Sequence, residues 1–204
     1  MRVSQVLASS LVAVATMLTA SPVSAQGDGG VGFGLEAGIT RASITAEGAK
    51  DFFNSRSGIM GGIWFGGNRN GPAGLMGELT YVVKGANDKF TDDALKLHYI
   101  EIPLLIRFNL GQTSTKNGFL VYPMFGPVAD INIKADDAGL DVKDQINGFD
   151  FGAMAGVGVE LARIGIEGRM NWGLKRITKE ADAFGPLVDV KNNTVQVVVK
   201  IRAN

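Results

Sequence analysis

The chain carries one histidine and no cysteine, so the chemistry open to it is narrow. His98 becomes a general base only beside a nucleophile, and the hydroxyls that could supply one are Ser43, Ser55 and Ser57 in the first long polar segment. No acidic partner accompanies them at triad-like spacing, so His98 reads as a rim residue without a catalytic role. The absence of His or Cys clusters points away from a transition-metal site. Two acidic stretches, "TDD" at 91–93 and "ADDAGLDVKD" at 135–144, offer oxygen donors to calcium, but they lack the ordered spacing of a calcium-binding hand. They read as solvated loop tips. "GVGFG" and "GAMAGVGVE" lack the following helix and lysine of a phosphate loop, and read as strand glycines. No catalytic residue, metal or cofactor is expected.

The remaining reactive groups are charges in unusual company. Glu36, Glu78, Glu101, Arg107, Asp150, Glu160, Glu167, Arg169, Lys175, Lys200 and Arg202 sit at alternate positions in segments that are otherwise apolar or small. The stretch "LHYIEIPLLIRFNLG", residues 97–111, shows the problem: a buried strand should hold neither two charges nor a proline that removes a ladder hydrogen bond. The elements that carry these residues must therefore give them a polar side of their own.

Composition narrows what those elements are. Lys plus Arg and Asp plus Glu are both 20 in a chain of 204 residues, which leaves no global field for nucleic acid. The lack of cysteine suits a cell-envelope chain that passes through an oxidising compartment. Glycine is abundant at 28 against 6 prolines, as expected where turns are many and strands approach closely. Arg2, the apolar run "VLASSLVAVATMLTA" and the small-x-small end Val23-Ser24-Ala25 have the pattern of a secretory signal, with cleavage expected after Ala25. Residues 1–25 are thus a signal peptide and 26–204 one domain.

From Val31 onward the hydropathy has period two. Val31, Phe33, Leu35, Ala37 and Ile39 alternate with Gly32, Gly34, Glu36, Gly38 and Thr40. The same reading gives seven more strands at Gly58–Gly66, Gly74–Gly85, Leu97–Leu110, Gly118–Asn132, Gly148–Leu161, Ile164–Lys175 and Asn193–Ala203. Each is long enough to cross a bilayer at a tilt. Connections after the odd-numbered strands are long and polar, and those after the even-numbered ones are short. That rhythm predicts an all-β, eight-stranded antiparallel up-and-down transmembrane β-barrel, with short turns on the periplasmic side and long loops outside. A soluble barrel would bury the apolar face and wet the polar one; here the polar face holds opposite charges in numbers that suit mutual neutralisation inside a narrow barrel.

One hairpin fixes a register. If Ala162-Arg163 is a two-residue turn, Leu161 faces Ile164, Gly158 faces Glu167, Gly156 faces Arg169, Val157 faces Gly168 and Asp150 faces Lys175. Small residues then make room for large charged ones. In 97–111, Ile100, Ile102, Leu104, Ile106 and Phe108 are expected on lipid, and Glu101, Pro103 and Arg107 in the lumen. Glu101 and Arg107 lie about 20 Å apart along the strand, so each should pair with a neighbouring strand. Pro103 calls for a bulge, or for a carbonyl satisfied from the lumen, and Pro123 and Pro127 suggest an irregularity shared with the next strand. Trp64, Tyr81, Tyr99, Phe108, Tyr122 and Trp172 lie near predicted strand ends and are expected to form the interfacial aromatic girdles, with lumen filling as the alternative.

"YIEIPLLIRFNLG", "FLVYPMFGPVADI", "FDFGAMAGVGVEL", "GIEGRMNWGLKRI" and the closing "NNTVQVVVKI" together resemble the PorT family and the wider outer membrane β-barrel domain group, which takes in small OmpA-, OmpX- and OmpW-like barrels. Members show a Tyr-x-Glu-x-Pro strand, a Gly-Pro strand, an Asp-x-Gly…Gly-x-Gly-x-Glu strand and an Arg-x-x-x-Gly-Leu strand in that order. The resemblance implies an eight-stranded outer membrane protein of a Gram-negative type cell, in contact with lipid and lipopolysaccharide and inserted by the barrel assembly machinery. PorT itself is tied to protein secretion and maturation at the envelope. The end "KIRAN" departs from the aromatic last residue common in such barrels, which bears on assembly and not on the fold.

An eight-stranded barrel has an interior just wide enough for side chains to fill, so a wide pore is not expected. The leading expectation is a non-enzymatic barrel with a structural, envelope-assembly or adhesion and binding role. Its outer loops, which carry Phe52, Phe53, Phe90 and Phe184, would dock an envelope partner or cap the mouth. A narrow OmpW-like transporter of small hydrophobic molecules is the alternative, and an outer-leaflet lipid-modifying enzyme using His98 comes third.

Overall fold

The computed structural model describes residues 30–45, 53–88, 94–110, 118–137, 139–174 and 191–203. Eight long antiparallel strands close on themselves: β1 (Gly32–Thr45), β2 (Phe53–Gly66), β3 (Ala73–Asp88), β4 (Ala94–Phe108), β5 (Phe119–Asp137), β7 (Phe149–Leu161), β8 (Ile164–Gly173) and β9 (Lys191–Arg202). The two-residue strand β6 (Leu140–Asp141) folds back on the outer end of β5. Neighbours in sequence pair as hairpins, β1 pairs β9, and β4 pairs β5, so no barrel strand is left with an open edge. The alternation that marks the strands in sequence becomes an outer surface of exposed apolar residues, with Leu35 at 64% and Ile63 at 54%, and an inner surface of buried polar ones.

Strand ends at the short turns fall close to where the pattern stops. At the opposite end β1, β2, β3, β4 and β5 run further than the hydropathy predicts, because ladder hydrogen bonds continue above the lipid while outward residues there turn polar. Arg41, Ser57 and Lys96 occupy such outward positions. The segment after β5 is not the open loop expected at 133–147. It forms the β5–β6 hairpin and a short 3₁₀ turn (Lys143–Gln145), and it drives Ile146 into a cluster with Ala86, Leu97, Tyr99 and Ala135 that closes the outer mouth. Phe52, Phe90, Phe184 and residues 91–93 lie outside the described residues, as do Lys175 and the first 25 residues.

The β7–β8 hairpin follows the register set by Ala162-Arg163: Leu161 faces Ile164, Gly158 faces Glu167, Gly156 faces Arg169 and Val157 faces Gly168. The Leu174 N–H continues it by donating to the Phe151 carbonyl at 2.9 Å. Ala162 takes φ of 53°, the left-handed value a tight turn needs and a β-carbon resists.

Pro103 points inward as expected, but no bulge forms there. The β3–β4 register is the same at Gly77–Leu104 and Thr80–Glu101, and the ladder opens between them where Pro103 has no N–H to give. A matching gap lies opposite Pro127 in the β4–β5 ladder, between Pro103–Val128 and Ile106–Phe125. The register shifts fall nearer the outer end. One, between Tyr99–Asn132 and His98–Lys134, leaves Ile133 as the extra residue. The other lies between Ser55 and Met60 on β2, where Thr40 reaches past Gly58 to donate to the Val83 carbonyl at 2.9 Å.

The aromatic girdle requires correction. Tyr81, Phe108 and Trp172 face outward, but Trp64, Tyr99 and Tyr122 are buried inside the barrel at 5%, 1% and 1% exposure. Their parity explains it. Tyr99 shares its face with Glu101 and Arg107, Trp64 with Met60, and Tyr122 with Leu120 and Met124, so position near a strand end was outweighed by the period-two rule.

Candidate functional site

The interior is built from inward positions of all eight long strands and falls into layers. At mid-height Glu36 (β1), Glu78 (β3) and Glu167 (β8) surround Arg169 (β8) and Lys200 (β9). Arg169 donates to Glu78 from Nη1 at 2.6 Å and Nη2 at 2.9 Å, to Glu36 at 3.2 Å, and from Nε to Glu167 at 2.6 Å. Its Nη2 also meets Glu167 Oε2. Lys200 Nζ reaches Glu78 at 2.7 Å and Glu167 at 3.2 Å. Neutral hydroxyls complete the set, Thr80 donating to Glu36 at 2.7 Å and Tyr122 to Glu167 at 2.6 Å. Three carboxylates share two cations with donors to spare, which is how charges in a dry interior survive.

Above this, toward the outer mouth, Lys84 (β3) bridges Glu101 (β4) at 2.6 Å and Asp130 (β5) at 2.7 Å. Gln196 and Asn171 each donate to Glu101 at 3.0 Å. Asp150 lies opposite Asp130 across the β5–β7 ladder, and its Oδ1 accepts from the Phe151 N–H at 2.7 Å.

At the short-turn end, which the loop rhythm assigns to the periplasm, the balance reverses. Arg69, from the β2–β3 turn, Arg107 (β4) and Arg202 (β9) converge on Glu160 (β7) at 3.3, 3.2 and 3.3 Å. Arg69 also donates to the Gly118 carbonyl at 2.7 Å, and Arg107 to Asn109 Oδ1 at 2.9 Å. The three inward aromatics find their reason here and above, since each stands over a lumen cation. Tyr122 lies 4.0 Å from the Arg107 guanidinium carbon, Trp64 5.2 Å from that of Arg202 and 5.3 Å from Lys200 Nζ, and Tyr99 5.3 Å from Lys84 Nζ. A ring face inside a narrow barrel supplies attraction to a cation at no cost in hydrogen-bond acceptors.

The structure buries Glu36, Glu78, Glu101, Arg107, Asp150, Glu160, Glu167, Arg169, Lys200 and Arg202 in the lumen, while Lys175, the expected partner of Asp150, lies outside the described residues. Glu101 and Arg107 pair with other strands and not with each other. Lys84 and Asp130 belong to the network but escaped the sequence reading, although their parity with Glu78 and Tyr122 marks them as inward, while Gln196 lies inward with Lys200 and Arg202 as the alternation of the last strand predicts. Arg69 left no such signal, because a turn residue has no period.

His98 stands outside the barrel wall, above the apolar band, among Lys96, Lys134 and Asp136. Its Nδ1 lies 2.6 Å from Tyr81 Oη and its Nε2 3.7 Å from Asp136, while Ser55 accepts from Arg41 at 2.8 Å. Partial burial is the largest influence on the imidazole and holds its pKa below the ordinary 6.5, with Asp136 opposing. Asp136 is itself bonded to Lys134 at 2.8 Å. Among the described residues no group of His, Cys, Asp and Glu is arranged to hold a metal ion.

A family model described as outer membrane protein beta-barrel domain matches residues 24–179. No curated protein matches the chain. Among solved structures, the neisserial surface protein NspA is 17% identical, with 85% of this chain and 99% of that one covered and a TM-score of 0.48. OprG of Pseudomonas aeruginosa is 15% identical over 85% and 93%, at 0.47. The attachment invasion locus protein Ail of Yersinia pestis, solved with the heparin analogue sucrose octasulfate, is 15% identical over 85% and 98%, at 0.46.

Proposed function

The chain belongs to the outer membrane protein beta-barrel domain family, and we propose from that premise that it is a non-enzymatic barrel that works at its outer rim, as a structural, envelope-assembly or adhesion and binding protein of PorT-like type. The observation that carries this reading is the closed interior. Arg169 on β8 spans to Glu78 on β3, Lys84 on β3 to Asp130 on β5, and the Ile146 cluster plugs the mouth, so the side chains that would line a route are committed to one another. What remains for a partner is the rim and the loops. The outer surface meets lipid and lipopolysaccharide, insertion proceeds through the barrel assembly machinery, and maturation includes cleavage after Ala25.

The test joins two measurements on the full chain. Planar bilayers containing heat-modifiable, folded protein should show no discrete conductance steps, and chemical cross-linking on whole cells should capture an envelope partner that is lost when residues 46–52 and 89–93 are replaced by short Gly-Ser linkers. Discrete steps, or uptake of small hydrophobic molecules that depends on the protein, would replace this reading with transport.

A further inference from the structure

The apolar outer wall is much taller on one side of the barrel than on the other. On β1 the outward residues, counted from the short-turn end, are Phe33, Leu35, Ala37 and Ile39, and the next is Arg41. The two flanking strands stop at the same point. Outward residues on β9 run from Ile201 to Val195 and then reach Asn193, and those on β2 run from Phe65 to Ile59 and then reach Ser57. The cross-strand pairs Arg41–Ser57 and Arg41–Val195 join the three changes into one stretch of wall. On the opposite side the apolar run continues from Leu161 to Phe149 on β7 and from Phe119 to Ile133 on β5. A strand rises about 3.3 Å per residue and tilts by about 40° in such a wall, so each residue adds about 2.5 Å of height. The apolar face is therefore about 15 Å tall at β9, β1 and β2, about 20 Å if Val31 and Ala203 are counted at its lower edge, and about 30 Å at β7. Outer membrane barrels present a band of about 25 Å. Tilting the whole barrel does not remove the difference, because tilt moves both edges of a face together.

We propose that the β9–β1–β2 face draws the outer leaflet down to the row of Arg41, Ser57 and Asn193, so that the bilayer is locally thin there and keeps its full depth against β5 and β7. The partner of this face is the lipid itself. Headgroups meet a guanidinium, a hydroxyl and a carboxamide, above acyl chains shortened against the apolar residues from Phe33 to Ile39. A flat bilayer would either hold Arg41 within hydrocarbon or leave Phe149 and Phe151 in water, and each of those penalties falls on single side chains. Thinning a lipid layer spreads the mismatch over many molecules at a modest cost for each ångström, so the lipid yields first. Arg41 is exposed and already reaches toward the outer rim, where its Nε donates to Ser55 Oγ at 2.8 Å, so its stem lies along the wall and its charge stands at the new boundary. The thinned face is independent of any partner at the outer loops.

The experiment uses full-length protein folded in vesicles of dioleoyl phosphatidylcholine. The chain has no cysteine, so Ile39→Cys and Phe151→Cys each carry a single nitroxide label on the lipid-facing wall. Relaxation of the label by oxygen and by a water-soluble nickel chelate reads its depth. Phe151 stands further from the short-turn end than Ile39 does, so in a flat bilayer the label at 39 is the deeper of the two. Expected is the reverse order, with the label at 39 closer to the headgroups, and a shift of that label to greater depth when Arg41→Leu, Ser57→Leu and Asn193→Leu are combined. A label at 39 as deep as the one at 151, or deeper, would overturn the proposal. So would a label at 151 open to the chelate, which would place the tall face in water, or a label at 39 that stays in place in the folded triple variant. The order of the two labels is read with Arg41, Ser57 and Asn193 intact, so it decides the matter even where the triple variant does not fold.

Discussion

The middle and the periplasmic end of this barrel bury similar side chains and use them in opposite ways. In the middle, two cations face three carboxylates, with contacts as short as 2.6 Å and hydroxyls from Thr80 and Tyr122 filling the remaining acceptor positions. At the periplasmic end, Arg69, Arg107 and Arg202 meet Glu160 at 3.2–3.3 Å, and among the described residues Arg107 Nη2 and Arg202 Nη1 and Nη2 have no hydrogen-bond partner. Burial alone therefore does not say what a charge contributes. In the closed layer each group depends on every other, so the network behaves as a strut; in the other the contacts are longer and less complete, so each group contributes less to the fold.

The largest effect that separates the two layers should come from Arg169→Met. It leaves Glu36, Glu78 and Glu167 to Lys200 alone, and urea unfolding in lipid vesicles should show a loss of about 3–5 kcal/mol. An equal loss from removing Arg202 would erase the distinction.

Gly158→Ala tests how tightly the middle layer is fitted. A β-carbon there would stand 2.5–2.7 Å from the Tyr122 ring and hydroxyl, so Tyr122 must move and release Glu167. The expected cost is about 1–3 kcal/mol, and most of it should be recovered when Tyr122→Leu is added. Failure of that rescue would mean the backbone, not the ring, sets the constraint.

Arg202→Gln addresses the other layer. It should be neutral or stabilising, because it removes like-charge repulsion with Arg107 and two buried donors that have no acceptor among the described residues. A loss comparable to Arg169→Met would show that the periplasmic layer is as closed as the middle one.

The smallest effect lies outside both layers, at His98. Its folded pKa is held below 6.5, chiefly by burial, so below that pH the unfolded chain binds the proton more readily than the folded one. Stability should be fully present above pH 6.5 and decline slightly as pH falls through the folded value. Because the chain has a single histidine, one side-chain NMR titration reads it directly; a midpoint above 6.5 would show that Asp136 outweighs burial.

Much of this architecture was legible beforehand, for a specific reason. A strand with lipid on one side and a narrow lumen on the other writes both environments into alternate residues, so Ile100, Ile102 and Leu104 separate cleanly from Glu101 and Pro103. A two-residue turn transmits register without error, and Gly158 opposite Glu167 followed from Ala162-Arg163 alone. The same rule, applied without exception, would also have placed Lys84, Asp130, Tyr99 and Tyr122 inside. For Tyr99 and Tyr122 closeness to a strand end is a competing criterion, and the period-two rule outweighs it. The hairpin that closes the outer mouth was hidden because its residues alternate weakly once lipid no longer selects their outward face. The bulge at Ile133 was hidden for a related reason, since one inserted residue changes parity only for the few positions beyond it.

The amino-acid sequence by itself determined the strand number, the alternation of faces, the hairpin order and the presence of a charged lumen, because each depends on residues adjacent in one strand or one turn. Which cation meets which carboxylate was decided only when the sheet closed. Arg169 and Glu78 lie 91 positions apart, Lys200 and Glu78 122, and Arg69 enters the lumen from a turn that carries no period. Closure brings those groups within reach across the barrel, and it is this distance across the lumen, invisible along the chain, that divides a satisfied middle from an open end.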